Sequence, residues 1–170
     1  MSTTGLEMAE TENSPGSLVE HLRLAVDFKR GQYSGKSQEQ FVLEHGRSFT
    51  PQSYRLADWG FKGVPKRCFA NTYALVKQHP DKLRSVEGYG LLEQFNIAIP
   101  HAWAIDSQDR VIDPTLVSGV RDYYGVVFDT GYVRRINRDG RRGVAMIDND
   151  ADDFPLLTGS HLDWMPKAIG

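Results

Sequence analysis

The stretch Ile99-Pro-His-Ala-Trp-Ala-Ile-Asp-Ser-Gln-Asp-Arg-Val-Ile-Asp-Pro-Thr115 decides how the chain is read. Two alternating apolar runs, residues 99–105 and 110–113, flank the polar Asp106-Ser-Gln-Asp109, the pattern of a β-hairpin with a four-residue turn. Such a hairpin sets His101 and Asp113 facing each other on neighbouring strands. A carboxylate that accepts the imidazole N–H fixes its tautomer and raises its basicity, which is how a catalytic base is oriented. A base of this kind calls for a nucleophile.

The search for one leads upstream to Cys68, the only cysteine in the chain. A single thiol excludes an internal disulfide framework and any thiolate-rich zinc or iron–sulfur site, and leaves Cys68 either a small buried hydrophobe or a reactive group. Gly60, Gly63 and Pro65 break any regular pattern in WGFKGVPKR. CFANTYALVKQH then supplies helix formers until His79-Pro80 stops them. Cys68 is thereby expected in the first turn of a helix, where unpaired N–H groups and the positive dipole end favour an anion. Lys66 and Arg67 add to that field. An imidazole nearby can take the thiol proton to give a thiolate–imidazolium pair, and the Cys68 backbone N–H is placed to meet a developing oxyanion.

Working outward, Ser17-Leu-Val-Glu20 is a capping-box pattern, followed by an apolar stripe that predicts a helix to about Lys29. Ser37-Gln-Glu-Gln40 repeats the start signal, with Gly46 as a C-terminal stop, and Thr50-Pro51 suggests a third helical turn with proline in its first position. Residues 83–92 read as a strand interrupted by Gly88 and Gly90, which predicts a bend or a close backbone approach. A strand or turn is expected at 123–128, a last strand at 143–147, and a short helix at 132–138 closed by Asp139-Gly140. Helices precede strands instead of alternating with them, which predicts an α+β fold with a mostly antiparallel sheet. Residues 1–16, polar and aperiodic, are expected to form a flexible tail ahead of a single domain over 17–170.

The chain has 170 residues, 40% hydrophobic and 25% charged, enough for one domain with a full core. A formal net charge of −2 and a pI near 6.2 provide no global positive field for nucleic acid or an anionic membrane. The acidic, polar start lacks the order of a secretory signal and no apolar run is long enough to span a bilayer, so the expectation is a cytoplasmic protein without a membrane partner. No motif implies a metal or organic cofactor. Asp148-Asn-Asp-Ala-Asp-Asp153 lacks the central glycine and terminal glutamate of a calcium loop and reads as an acidic loop.

Lys66-Arg-Cys-Phe-Ala-Asn-Thr-Tyr-Ala-Leu75, then Val86-Glu-Gly-Tyr89, His101-Ala-Trp103 and Val111-Ile-Asp-Pro-Thr115, resemble in order and spacing the core of the transglutaminase-like branch of papain-like cysteine enzymes. The resemblance covers residues 66–115. It implies an α+β papain-like core with the nucleophile helix packed on an antiparallel sheet, Cys68 as nucleophile, His101 as base and acid, and Asp113 as orienter. The family commonly has glycine before its cysteine and a tryptophan nearby, whereas Arg67 precedes Cys68 and the nearest upstream tryptophan is Trp59. The outer residue of the oxyanion hole is therefore open among Gln52, Trp59 and Lys62.

Each residue also has a plainer reading. Asn71, on roughly the Cys68 side of its helix, either supports the site or makes a helix-to-loop bond. Glu87 is either a second acid lining the cleft or, the favoured reading, the partner of a surface arginine. Trp103 is expected in the core beneath His101, keeping water from the base. His21, His45, His79 and His161 have no partner pattern.

The function expected from Cys68, His101 and Asp113 is thiol-dependent acyl transfer or hydrolysis on an amide, isopeptide or glutamine side chain of a protein or peptide, as in proteases, deamidases and transglutaminases. The alternative is a non-catalytic interaction protein of the same fold, binding a partner through Arg134, Arg135, Arg138, Arg141 and Arg142. Nucleic acid is the disfavoured partner for that cluster, because neighbouring acidic residues blunt it.

Overall fold

A computed structural model describes residues 16–32, 35–138, 140–159 and 163–166. The expected tail lies outside these residues except for Gly16, as do His161 and Asp139. Among the described residues the order is α1 (Leu18–Lys29), α2 (Gln38–His45), β1 (Arg47–Phe49), α3 (Cys68–Gln78), β2 (Arg84–Leu92), β3 (Ile97–Ile105), β4 (Val111–Ile112), β5 (Val120–Val127) and α4 (Thr130–Ile136), with 3₁₀ turns at Leu56–Trp59 and Asp150–Asp152. The strands form one curled sheet in the order β1-β5-β2-β3-β4, every pair antiparallel. The class is α+β. Among the described residues no helix is long and apolar enough to cross a membrane.

Local chemistry accounts for most boundaries. The Ser17 hydroxyl accepts from the Glu20 N–H while the Glu20 carboxylate accepts from the Ser17 N–H, so α1 begins with a complete capping box. At α2 the box is half made: Ser37 accepts from the Gln40 N–H, but the Gln40 side chain turns forward to Glu44. Gly46 ends α2 in an extended conformation instead of a left-handed one. A Cβ there would lie 2.9 Å from the Gly125 carbonyl oxygen, so β1 can start beside β5 only from a bare backbone.

The decisive hairpin forms with Ile105 opposite Val111 and Ala104 opposite Ile112. Its turn is held by Asp106, whose carboxylate accepts from the backbone N–H groups of Gln108 and Arg110 at 2.9 and 3.0 Å. Arg110 falls in the turn instead of in the strand, with its guanidinium on Asp106.

Two expected elements are absent. The Thr50-Pro51 start yields no helix, and regular structure waits until Leu56–Trp59. Tertiary burial overrides the weak proline preference here: Tyr54, Leu56, Trp59 and Phe61 pack against the apolar side of α3. No strand forms at 143–147 either, because the N–H groups of Val144, Met146 and Ile147 donate to the side chains of Asn137 and Glu87 in place of a ladder.

Side chains alternate across β3, and the two faces do different work. Ala104, with Ile112 and Leu83, receives Leu75 and Val76 of α3. Trp103 and Ile105 face the other way into a cluster with Phe49, Val86, Val111 and Tyr123. A third cluster joins α1, α2 and α4 to Tyr89, Leu91, Val126 and Phe128. β4 stops at Ile112, so no further strand flanks β3 beside His101. The first turn of α3 closes on that edge, seated by a hydrogen bond from the Asn71 amide to the Thr115 hydroxyl at 2.8 Å and by Gly63 against the Pro114 carbonyl.

Candidate active site

The imidazole of His101 lies between a carboxylate and a thiol. Its Nε2–H donates to Asp113 Oδ2 at 2.6 Å. The Cys68 thiol is its other hydrogen-bond partner, which leaves Nδ1 as the ring nitrogen facing sulfur. Cys68 is the first residue of α3, as the sequence predicts, and no side chain caps that helix start. The first-turn N–H groups are thus without a side-chain acceptor from the N-cap residue. His101 is 2% exposed and Asp113 fully buried, while Cys68 is half-buried at the surface end of the relay.

Asp113 is held from every side. Its Oδ1 accepts from the Thr115 and Leu116 N–H groups, each at 2.8 Å, and its Oδ2 accepts from His101 and from the Tyr123 hydroxyl at 2.9 Å. Four donors fill the lone-pair sites of one carboxylate. The Tyr54 hydroxyl grips the backbone of the same residue, accepting from its N–H at 2.9 Å and donating to its carbonyl at 2.5 Å. Asp-Pro-Thr is thus both a turn and a rigid mount for the carboxylate.

Burial by itself would push the His101 imidazole down, but the Asp113 carboxylate and the Cys68 sulfur outweigh it and lift the pKa to about 9. Glu87 is displaced in the same direction: complete burial raises it to about 8 against the pull of the Met146 and Ile147 N–H groups. Both groups hold their protons more tightly folded than unfolded, so stability falls as pH rises across each window. For Glu87 that window is about 4.5 to 8, and for His101 about 6.5 to 9. Thermal unfolding is accordingly expected to move to lower temperature from pH 5 to pH 9. Glu87→Gln should flatten the lower half of that decline and His101→Ala the upper half, as calorimetry would reveal.

Of the residues singled out in sequence, the structure gathers Cys68, His101, Asp113, Asn71 and Trp103. Asn71 makes the helix-to-loop bond considered for it: its side-chain oxygen accepts from the Val64 N–H, and its side-chain nitrogen donates to the Val64 carbonyl and the Thr115 hydroxyl. Trp103 is fully buried beside His101, rings 6.2 Å apart and nearly parallel. Glu87 does not pair with a surface arginine. It is 4% exposed and carries the backbone of residues 146–147.

Trp59 does not reach Cys68. Its carbonyl accepts from His79 and its ring packs edge-on to that imidazole, at the far end of an 11-residue helix, roughly 15 Å away along the axis. Gln52 shares a groove with Trp59, Asp106 and Arg110, and Lys62 is exposed. Of the histidines read as plain, His21 bonds the carbonyls of Ser17 and Asn96, joining α1 to the β2–β3 turn. In the arginine cluster, Arg135 pairs with Asp163 and Arg141 with Asp152.

Sequence reading missed Tyr54, Tyr123 and Gly143. Gly143 has a φ of +71° and lies so close that a Cβ would stand 2.2 Å from Ala70 Cα, which folds the 143–147 segment over the start of α3. Tyr123 lies on β5, two strands and roughly 10 Å from β3. Opposite these two residues β2 carries Gly88 and Gly90, and across that bare stretch the Tyr123 and His101 rings approach to 6.3 Å. The paired glycines were the available signal. No family model, curated protein or solved structure matches this chain.

Proposed function

We propose that the protein is a cysteine-dependent acyl-transfer enzyme acting through a Cys68 thioester. The observation that carries this reading is the placement of His101 between the Cys68 thiol and the Asp113 carboxylate, with the thiol alone at the surface. The resemblance of residues 66–115 to the transglutaminase-like branch of papain-like enzymes supports it, as does the antiparallel sheet on which α3 packs.

In this reading His101 takes the thiol proton and the sulfur attacks an amide carbonyl carbon, forming the C–S bond and placing negative charge on the carbonyl oxygen, which the N–H groups of the α3 first turn receive. As the C–N bond breaks, the imidazolium passes its proton to the departing amine. His101 then removes a proton from water or an amine as it attacks the thioester, releasing acid or new amide and regenerating the thiol. Hydrolysis, deamidation and cross-linking differ only in the group that departs and the group that attacks. Asn71 and Tyr54 position, while Trp103 keeps water from the ring.

The test begins with iodoacetamide. Cys68 should label fast near neutral pH, and His101→Ala should slow labelling by about 10- to 30-fold, because a free thiol is only a few per cent thiolate at pH 7. Equal rates in the two proteins would overturn the reading. Peptides containing glutamine or isopeptide bonds, offered with and without a primary amine, should leave an acyl group on Cys68 detectable by intact mass and identify the acceptor.

A further inference from the structure

The relay has a fourth member. Tyr123 and His101 both donate to Asp113 Oδ2, at 2.9 and 2.6 Å, and both rings are packed in the same buried space with Trp103. A carboxylate oxygen that already accepts from a phenol has less electron density to give to an imidazolium, so the two donors compete. We propose that Tyr123 is a positioning residue for the Cys68–His101–Asp113 site: its hydroxyl shares the orienting oxygen and thereby keeps the imidazolium a strong enough acid to protonate a departing amine. The proposal rests on the functional reading above.

Three observations support it. Burial first, then the negative charge of Asp113, push the Tyr123 hydroxyl far above the ordinary phenol range, so it remains a donor throughout the working pH range. The Asp113 oxygen cannot turn away from it, because Oδ1 is fixed by the Thr115 and Leu116 N–H groups and the backbone by Tyr54. The ring itself is held by Trp103 at 4.9 Å, so removing only the hydroxyl leaves the packing in place. Among the described residues, the titratable groups facing the imidazole include Asp113, Cys68 and Tyr123, and those facing Asp113 include His101, Tyr123 and Tyr54.

Tyr123→Phe in the full chain tests this, read by NMR titration of the His101 ring. With the competing donor gone, Asp113 holds the imidazolium more strongly, and the His101 midpoint should rise by about half a unit or more. Iodoacetamide labelling of Cys68 at pH 7 should be retained. Placing 3,5-difluorotyrosine at position 123 strengthens the donor without changing its shape and should move the midpoint down. It also decides the matter if the phenylalanine variant does not fold. A His101 midpoint that stays within about 0.2 unit in both proteins would overturn the proposal. If the midpoints move as stated while Cys68 labelling ignores His101→Ala, the tuning role stands and the enzyme reading falls.

Discussion

Asp113→Asn is expected to reduce turnover of an activated acyl substrate such as p-nitrophenyl acetate by about 10³-fold while leaving the protein folded. The amide oxygen can still accept from the Thr115 and Leu116 N–H groups at the Oδ1 position, so the loop keeps its shape. At the Oδ2 position an NH₂ now faces His101 Nε2, which must become an acceptor. The ring proton is thereby driven to Nδ1, where it points at the Cys68 sulfur and prevents the imidazole from receiving the thiol proton. The variant also loses the charge that offsets burial, so the imidazole pKa should fall from about 9 to below its ordinary value. Alkylation of Cys68 at pH 6 should then approach that of a free thiol. A variant that folds, and still turns over ester at near the parental rate, would remove Asp113 from the mechanism.

Gly63→Ala is expected to destabilise by about 3 kcal/mol or more, a fall of about 10 °C in the unfolding midpoint. A Cβ at this position would stand 1.7 Å from the Pro114 carbonyl oxygen and 3.2 Å from the Asn71 side-chain nitrogen. Neither can retreat independently. Pro114 follows the residue that Tyr54 grips by both backbone groups, and Asn71 is bonded on both sides to Val64 and to Thr115. Displacing this junction moves Asp113 relative to His101, so Cys68 reactivity should fall together with stability. Gly60→Ala is the control: that residue has φ +61° but a Cβ there would lie 4.0 Å from Gln78 Nε2, so only the left-handed backbone strain of about 1 kcal/mol applies. Equal midpoints for the two variants would mean that the Gly63–Pro114 approach is looser than described.

What could be read in the chain was whatever short-range chemistry decides. The capping box at Ser17, the hairpin around Asp106 and the start of α3 at Cys68 each depend on residues within a few positions of one another, and all three form where the pattern places them. The failures at Thr50-Pro51 and at 143–147 have one cause. A proline at a helix start and a short apolar run are preferences worth little beside the burial of Tyr54 and Trp59 on α3, or beside a buried Glu87 that accepts the N–H groups a strand would have used.

By itself the sequence determined the α+β class, the helix that begins at Cys68, and the hairpin of β3 and β4; Asp113, expected on its second strand opposite His101, lies just past the end of β4 and reaches that ring from the following turn. Only the tertiary structure decided that Tyr123 shares the carboxylate and that Tyr54 mounts it. It also withdrew Trp59 to the far end of α3 and placed Glu87 beneath the 143–147 segment. Strand order is the physical reason: β5 pairs with β2 and not with its chain neighbour β4, and a partner two strands away across two glycines leaves no local periodicity to read.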